Sequence, residues 1–348
     1  MTIVDARVVG GGVDTHVDFH VAAVLDHLGG VLGVESFETT EAGYHELLGW
    51  LEGFGTVGRV GVEGTGSYGA GLARFLLDHR VEVVEVDRPN RQLRHRRGKS
   101  DPTDAIAAAK AALSGEATGR PKWRNGPMEQ MRVLLVARRS ARDQRIQTLN
   151  QIRHLVFTAP SPIRERFIGR PQASMLTEMA RMRPRLSSLD PVSHVTLCTI
   201  RDLARRIKGL DTETKQIRTR LRVLVAEVAP SLLELTGVGA ETASMLLVAA
   251  GDNPHRIRSE AAWAHLCGVA PIPASSGKTI RHRLNRGGDR RANAALYRIV
   301  CSRLSCDSET QAYMARRLDE GRSRKEIIRC LKRYLARRIY KHLPRHLT

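Results

Sequence analysis

The hydrophobic period of this chain changes once, and the change bounds the architectures open to it. Up to about residue 86, short apolar runs in steps of two alternate with turns and helix-length segments. Val8 to His20 reads as one strand, Val21 to Asp26 continues it or pairs with it, and His27-Leu28-Gly29-Gly30 turns the chain into Val31–Phe37. A helix over 41–54 carries Tyr44, Leu47, Leu48 and Leu51 on one face. Arg59–Val62 is a short buried strand ending at Glu63. Residues 67–79, 81–86 and 101–114 then read as helix, strand and Ala-rich helix. Past the breaker-rich Gly119-Arg-Pro-Lys-Trp-Arg-Asn-Gly-Pro127 the chain turns helical.

The order β-β-β-α-β-α-β-α is that of the ribonuclease H superfold, so an α/β domain is expected over residues 1–122. A helical, coiled-coil segment is expected over 123–229, and a mainly α domain over 230–348. Met128 to Phe157 reads as one long basic helix. In the next long helix Ile200, Leu203, Ile207, Leu210, Thr214, Ile217, Leu221, Leu224 and Val228 recur in steps of three and four. That is a coiled-coil seam, weakened at Gly209 and Thr214; its partner is either Met128–Phe157 of the same chain or the same helix of another protomer. Leu235-Thr236-Gly237-Val238-Gly239 followed by Ala240–Ala250 resembles the hairpin of a helix-hairpin-helix element.

Charge speaks about partners. Among 348 residues, 56 are Lys or Arg against 36 Asp or Glu, a formal net charge of +20, and the commonest partner of such a surface is a polyphosphate. Only nine of the positive residues are Lys, which favours the bidentate guanidinium fork that suits phosphate. Five cysteines without a C-x-x-C pair argue against a disulfide framework or zinc site and for a reducing cytoplasm. The start lacks the apolar core of a signal peptide, and no apolar stretch approaches the roughly 18 residues that cross a bilayer, so no membrane partner is expected.

Against this basic background, carboxylates concentrate at Asp14, Glu63, Asp101 and Asp104. Asp14 lies in a strand whose alternation puts Asp14, His16, Asp18 and His20 on one face and Val13, Thr15, Val17, Phe19 and Val21 on the other. The His16-Asp18-His20 alternation reads as a solvated or substrate-facing strand face rather than as a further metal site. Glu63 closes a buried strand, and Asp101 and Asp104 project from one helix face. Four carboxylates gathered without a counter-ion repel one another, and hard divalent cations such as Mg²⁺ relieve that with oxygen ligands. The alternative for the last pair is helix N-capping in Ser100-Asp101-Pro102-Thr103-Asp104. Downstream, Ala274-Ser275-Ser276-Gly277-Lys278 precedes Arg281-His282-Arg283-Leu284-Asn285-Arg286. It is either an ordinary loop or a serine nucleophile whose developing phosphorane charge Arg281, Arg283 and Arg286 could stabilise.

Two sets of three blocks carry a resemblance. Gly12-Val13-Asp14-Thr15-His16, Val62-Glu63-Gly64-Thr65-Gly66-Ser67-Tyr68-Gly69 and Arg97-Gly98-Lys99-Ser100-Asp101-Pro102-Thr103-Asp104-Ala105 resemble the DEDD transposases of bacterial insertion sequences, of the insertion-sequence-110 class related to pilin-gene invertases. Leu266-Cys267-Gly268-Val269-Ala270-Pro271, Ser275-Ser276-Gly277-Lys278 and Asn285-Arg286-Gly287-Gly288-Asp289 resemble the second domain of that family. Val17 departs from it, since a basic residue is frequent there. The resemblance implies a RuvC-like domain with Asp14, Glu63, Asp101 and Asp104 as Mg²⁺ ligands. It also implies a transposase domain in which Ser276, or its neighbour Ser275, forms a phosphoserine with DNA. Donor and target DNA, a structured guide RNA encoded by the element, and a homo-oligomer, dimer or tetramer, are the implied partners. The competing readings are a RuvC-like junction endonuclease that hydrolyses DNA with the four acids alone, and a non-enzymatic nucleic-acid-binding scaffold. The absence of a G-x-x-x-x-G-K-[ST] loop fits a transfer that needs no ATP.

Overall fold

A computed structural model describes residues 8–86, 100–185, 187, 189–253, 256–276, 279 and 281–344. They fall into two compact units, one within Met1–Gly126 together with Gly251–Arg256, the other Pro127–Ala250 with Ile257–Thr348.

The first unit is built on a five-stranded mixed sheet. β1 (Val8–Thr15), β2 (Phe19–Leu25) and β3 (Val31–Glu38) form an antiparallel meander, while β4 (Thr56–Glu63) and β5 (Glu82–Val86) extend it in parallel, giving the order β3-β2-β1-β4-β5. α1 (Glu41–Glu52) follows β3 and α2 (Ala70–Asp78) follows β4, so the expected element order is the observed one. One sheet face buries Val9, Val13, Val60 and Val62 against Leu47, Leu51, Leu72 and Leu76 of these two helices. The other face is covered by α3 (Asp101–Leu113). α3 lies unusually close, because the strands beneath it present glycines. A Cβ on Gly12 would stand 2.0 Å from the Ala109 nitrogen and 2.4 Å from the Ala105 carbonyl oxygen. The absence of a side chain at Gly12 is therefore what permits the close approach of the Ala-rich helix.

One expectation fails in β1. The run from Val8 to His20 is not one strand: it stops at Thr15 and returns as β2, with Thr15 opposite His20 and Asp14 opposite Val21. Opposed residues share a face, so His20 lies on the side away from Asp14. It is fully buried and its ring stacks on Tyr44 at 5.8 Å. Its Nδ1 accepts a hydrogen bond from the His16 backbone N–H at 3.3 Å, which ties down the turn between the strands. Burial pushes the His20 imidazole down to about 4.

The second unit is helical. α4 (Pro127–Thr158), α5 (Ser161–Phe167), α6 (Gln172–Arg181) and α7 (Pro191–Val228) come first. α4 and α7 pack antiparallel: Met128, Met131 and Leu135 meet Ile217, Leu221 and Val225, whereas Leu149, Ile152 and Val156 share a cluster with Leu197, Ile200, Ala204 and Ile207. The long seam of α7 is thus closed by the same chain. α8 (Pro230–Leu233) and α9 (Ala240–Ala250) flank the Gly237–Gly239 turn, where Gly237 adopts φ of 80° and the Thr242 hydroxyl donates to the Gly239 carbonyl at 3.0 Å. α10 (Glu260–Leu266), a short hairpin of β6 (Ile272–Pro273) and β7 (His282–Arg283), then α11 (Arg290–Cys306), α12 (Ser308–Asp319) and α13 (Arg324–Tyr340) complete the unit. Among the described residues no helix is long and apolar enough to cross a membrane.

Candidate functional site: an acidic cluster and a serine hairpin

In the first unit the sheet brings two acids together. The parallel register pairs Val13 with Val62, so Asp14 and Glu63 stand at the next position, where the two neighbouring strands end. The alternation that sends Val13 and Val62 towards α1 and α2 sends Asp14 and Glu63 to the face under α3. Thr15 Oγ1 donates to the Glu63 carbonyl at 2.9 Å and ties the two strand ends. Asp101 and Asp104 occupy the first turn of α3, which the Gly12 contact seats over β1. The capping position of that helix is Ser100, whose hydroxyl bonds Thr103 Oγ1 at 2.7 Å, so neither aspartate serves as the N-cap.

His16 joins the cluster. Its Nε2 lies 3.2 Å from Asp14 Oδ2 and 3.5 Å from Asp101 Oδ2, and ligand atoms of Asp14, His16 and Asp101 all fall within 4.8 Å of one another. The break at Thr15 is what aims the His16 ring back at the acids. The sequence signal was its place two residues after Asp14, weakened by the assumption of a continuous strand. Asp14 and Asp104 are almost completely buried, whereas Asp101 and Glu63 are half-buried. The Asp14 carboxyl is pushed up, first by burial and then by the charges of Asp104 and Asp101, while His16 pulls it down. Crowded, desolvated carboxylates with one imidazole at their edge form a donor set suited to a hard divalent cation. Arg97, Gly98 and Lys99, which the motif places just before this cluster, lie outside the described residues.

In the second unit the serine island is the end of a β-hairpin. Ile272 pairs with Arg283 and Pro273 with His282, the Ala274 N–H donates to the Arg281 carbonyl at 2.8 Å, and Ser276 and Thr279 exchange backbone hydrogen bonds at 3.2 and 3.1 Å. Ser276 is the last paired residue; Gly277 and Lys278 lie outside the described residues. The two serines differ. Both are exposed, but Ser275 Oγ accepts the Arg281 N–H at 3.2 Å, whereas the Ser276 hydroxyl makes no hydrogen bond to a described residue. Residues two apart share a face, so Ser276 lies with the partners of Ala274 and Ile272, namely Arg281 and Arg283.

The flanking motif blocks hold this hairpin in place. Gly268, with φ of 65°, passes so close to Gly288 that a Cβ on the latter would stand 2.3 Å from the Gly268 nitrogen. Asn285 Nδ2 donates to the His265 carbonyl at 2.9 Å, and Asn293 Nδ2 to the carbonyls of Cys267 and Gly268 at 2.9 and 3.1 Å. Asp289 caps α11 through the N–H groups of Arg291 and Ala292. Cys267 is fully buried, and its thiol is pushed far up by burial.

These two arrangements fall in regions that known proteins share. Residues 11–159 match the model of the DEDD transposases of IS110 elements, described as a transposase, and residues 229–315 match the model described as the transposase IS116/IS110/IS902 family. Over 124 residues the chain is 27% identical to an uncharacterized 43.6 kDa protein of insertion element IS110 from Streptomyces coelicolor. That stretch covers 35% of this chain and 30% of the relative. With one family matched across the acid-bearing region and again across the serine hairpin, the chain belongs to the IS110 family of transposases.

Proposed function

We propose that this chain is a DNA recombinase of an insertion sequence, whose Ser276 attacks a DNA phosphodiester while Asp14, Glu63, Asp101 and Asp104 hold Mg²⁺. The observation that carries the reading is the convergence of Asp14, Asp101 and Asp104, with Glu63 beside Asp14 in register, at the end of a five-stranded mixed sheet of order β3-β2-β1-β4-β5, which is consistent with a RuvC-like domain. The donor set fits a divalent cation, because the buried Asp14 is crowded by like charge that such an ion would neutralise. When bound, the metal supplies positive charge against the phosphodiester oxygens.

The protein groups divide the remaining work. The Ser276 hydroxyl loses its proton and its oxygen bonds to phosphorus, while the bond from phosphorus to a deoxyribose oxygen breaks and that oxygen takes up a proton. One phosphoester replaces another, so the rejoining step needs no nucleotide triphosphate. Arg281, paired with Ala274 two residues from Ser276, shares the face of Ser276 and is suited to binding the equatorial phosphate oxygens in the transition state. Ser276 rather than Ser275 is the nucleophile in this reading, since the Ser275 hydroxyl is engaged by Arg281.

Membership of the family supports a structured guide RNA, donor and target DNA as partners, and a homo-oligomer, dimer or tetramer, working in the cytoplasm. The same membership supports the three-part division into a RuvC-like domain over 1–122, a coiled-coil segment over 123–229 and a transposase domain over 230–348.

The test is covalent trapping with labelled donor DNA, Mg²⁺ and RNA transcribed from the flanking element, comparing wild type with Ser276→Ala. A protein–DNA adduct that disappears in the variant is expected. Equal cleavage by both without an adduct would instead make the acids a hydrolytic junction nuclease.

A further inference from the structure

At the root of the serine hairpin lies a cavity of about 610 Å³ between the hairpin and α13. Its walls carry four cations, Arg283, Arg286, Arg329 and Lys332, and two exposed apolar surfaces, Leu284 and Tyr334. A fifth cation in the wall, Arg333, is already bound by both oxygens of Glu260. No carboxylate of a described residue forms an ion pair with the other four. Lys332 is held against the Asn293 amide oxygen at 2.8 Å, so its ammonium is fixed in the wall without an ion pair to a described residue. Burial, followed by the charge of Arg329, makes the protonated ammonium less favourable there. An anion seated in the cavity would relieve both.

The aromatic half of the wall is equally specific. Tyr334 is 52% exposed, and Tyr313 packs edge-on against it with ring centroids 5.8 Å apart and planes at 88°. The contact orients the Tyr334 ring and leaves much of it open. A cationic set beside a fixed, exposed aromatic surface matches the two ends of a nucleotide, phosphate and base. A base can lie on that surface only when it has left its own stack, which excludes intact duplex.

We infer that this cavity receives one unstacked nucleotide of the DNA strand that Ser276 attacks, its phosphate on Arg283, Arg286, Arg329 and Lys332 and its base on Tyr334. The inference rests on the proposed role of the hairpin, and it deepens that role. From the Ile272–Arg283 pair at the root to the Ser276–Thr279 pair at the tip is four residues, about 13 Å of strand. That distance separates the held nucleotide from the reacting phosphate and sets the register of cutting. Tyr334 and the four cations are positioning residues.

The test uses the full chain with a DNA probe carrying 5-iododeoxyuridine in a single-stranded stretch, irradiated and mapped by peptide mass spectrometry. It is run in the Ser276→Ala background so that it does not depend on serine chemistry. Crosslinking at Tyr334 is expected with single-stranded DNA and lost when the same position is base-paired. Tyr334→Leu should weaken binding of the single-stranded probe about fivefold or more, the loss of one base–aromatic stack. Arg286→Gln and Arg329→Gln, both at exposed positions, should each flatten the salt dependence by about 0.7 in log–log slope. Exposed Arg164→Gln on α5, far along the chain from the hairpin, serves as the comparison and should leave the Tyr334 crosslink unchanged.

Crosslinks that map elsewhere, or that form equally with duplex, would overturn the inference. So would displacement of the probe by RNA of the same sequence more readily than by DNA. If wild type forms the serine adduct while no crosslink reaches Tyr334, only the cavity inference falls. If Ser276 never reacts but the crosslink forms, the cavity binds DNA and the reading of the nucleophile falls.

Discussion

Asp14 is the residue at which structure and charge conflict most. It is buried, and the charges of Asp101 and Asp104 oppose its own. In metal-free protein that conflict destabilises the fold, so Asp14→Asn should raise the melting temperature in the presence of a chelator. With Mg²⁺ added the order should reverse: wild type gains stability by ligand linkage, whereas the variant gains little. Calorimetric melting of both proteins with and without the cation checks this, and a variant that still gains stability like wild type would remove Asp14 from the metal set. His20, on the opposite face, makes a separate prediction. Its folded-state value is depressed to about 4 from the ordinary imidazole value of 6.5, so below 6.5 the unfolded chain binds the proton more readily than the fold. Stability contributed by neutral His20 is therefore complete above about pH 6.5 and is lost as pH falls towards 4, by up to about 3 kcal/mol. Urea melts of wild type and His20→Phe between pH 4 and 7 should diverge with that slope.

Elements are seated by what their neighbours lack. α3 brings Asp101 and Asp104 over Asp14 because Gly12 offers no side chain beneath Ala105 and Ala109. Gly12→Val should push α3 away and cost about 3 kcal/mol or more, since the clash is with backbone that cannot rotate aside. Such a variant, if folded, should lose Mg²⁺ affinity although all four acids remain. Titration calorimetry on the folded fraction tests it, and unchanged affinity would show that α3 does not position the cluster. The element sequence of the first unit was legible in the chain, because strand and helix periods are local properties. The turn at His16–Asp18 was not. An alternating run of polar and apolar residues satisfies one long strand and a hairpin equally well, and only pairing with β4 and packing against Tyr44 decide between them. That decision moves His20 out of the polar face and brings His16 within 3.2 Å of Asp14.

For the whole molecule the governing quantity is charge. A formal net charge of +20 makes phosphate binding a counterion-release process, so affinity for DNA or RNA should fall steeply between about 50 and 200 mM salt. Equilibrium binding at graded salt measures it, and a flat response would contradict an electrostatic interface. The arginines are not uniformly free for that purpose. Arg138 and Arg298 both bind Glu241 inside the second unit, and Arg145 reaches Asp211 between α4 and α7. Net charge thus overstates the positive surface offered to a partner, and what remains unpaired around the serine hairpin is the more informative part.

Composition, period and motif spacing fixed three properties of this protein before folding was considered. They are a basic surface, a mixed sheet followed by long helices, and two islands of polar chemistry some 170 residues apart. These depend on residues read one window at a time. The seam of α7 was equally visible, but its partner was not, since a stripe of Ile and Leu is complementary to any similar stripe; the antiparallel return of α4 within the same chain chose it. In the same way Ser275 and Ser276 are indistinguishable in sequence, and a single hydrogen bond from the Arg281 N–H separates them. Tertiary structure decided which identical-looking groups are occupied and which are left exposed, because that depends on partners the local sequence does not contain.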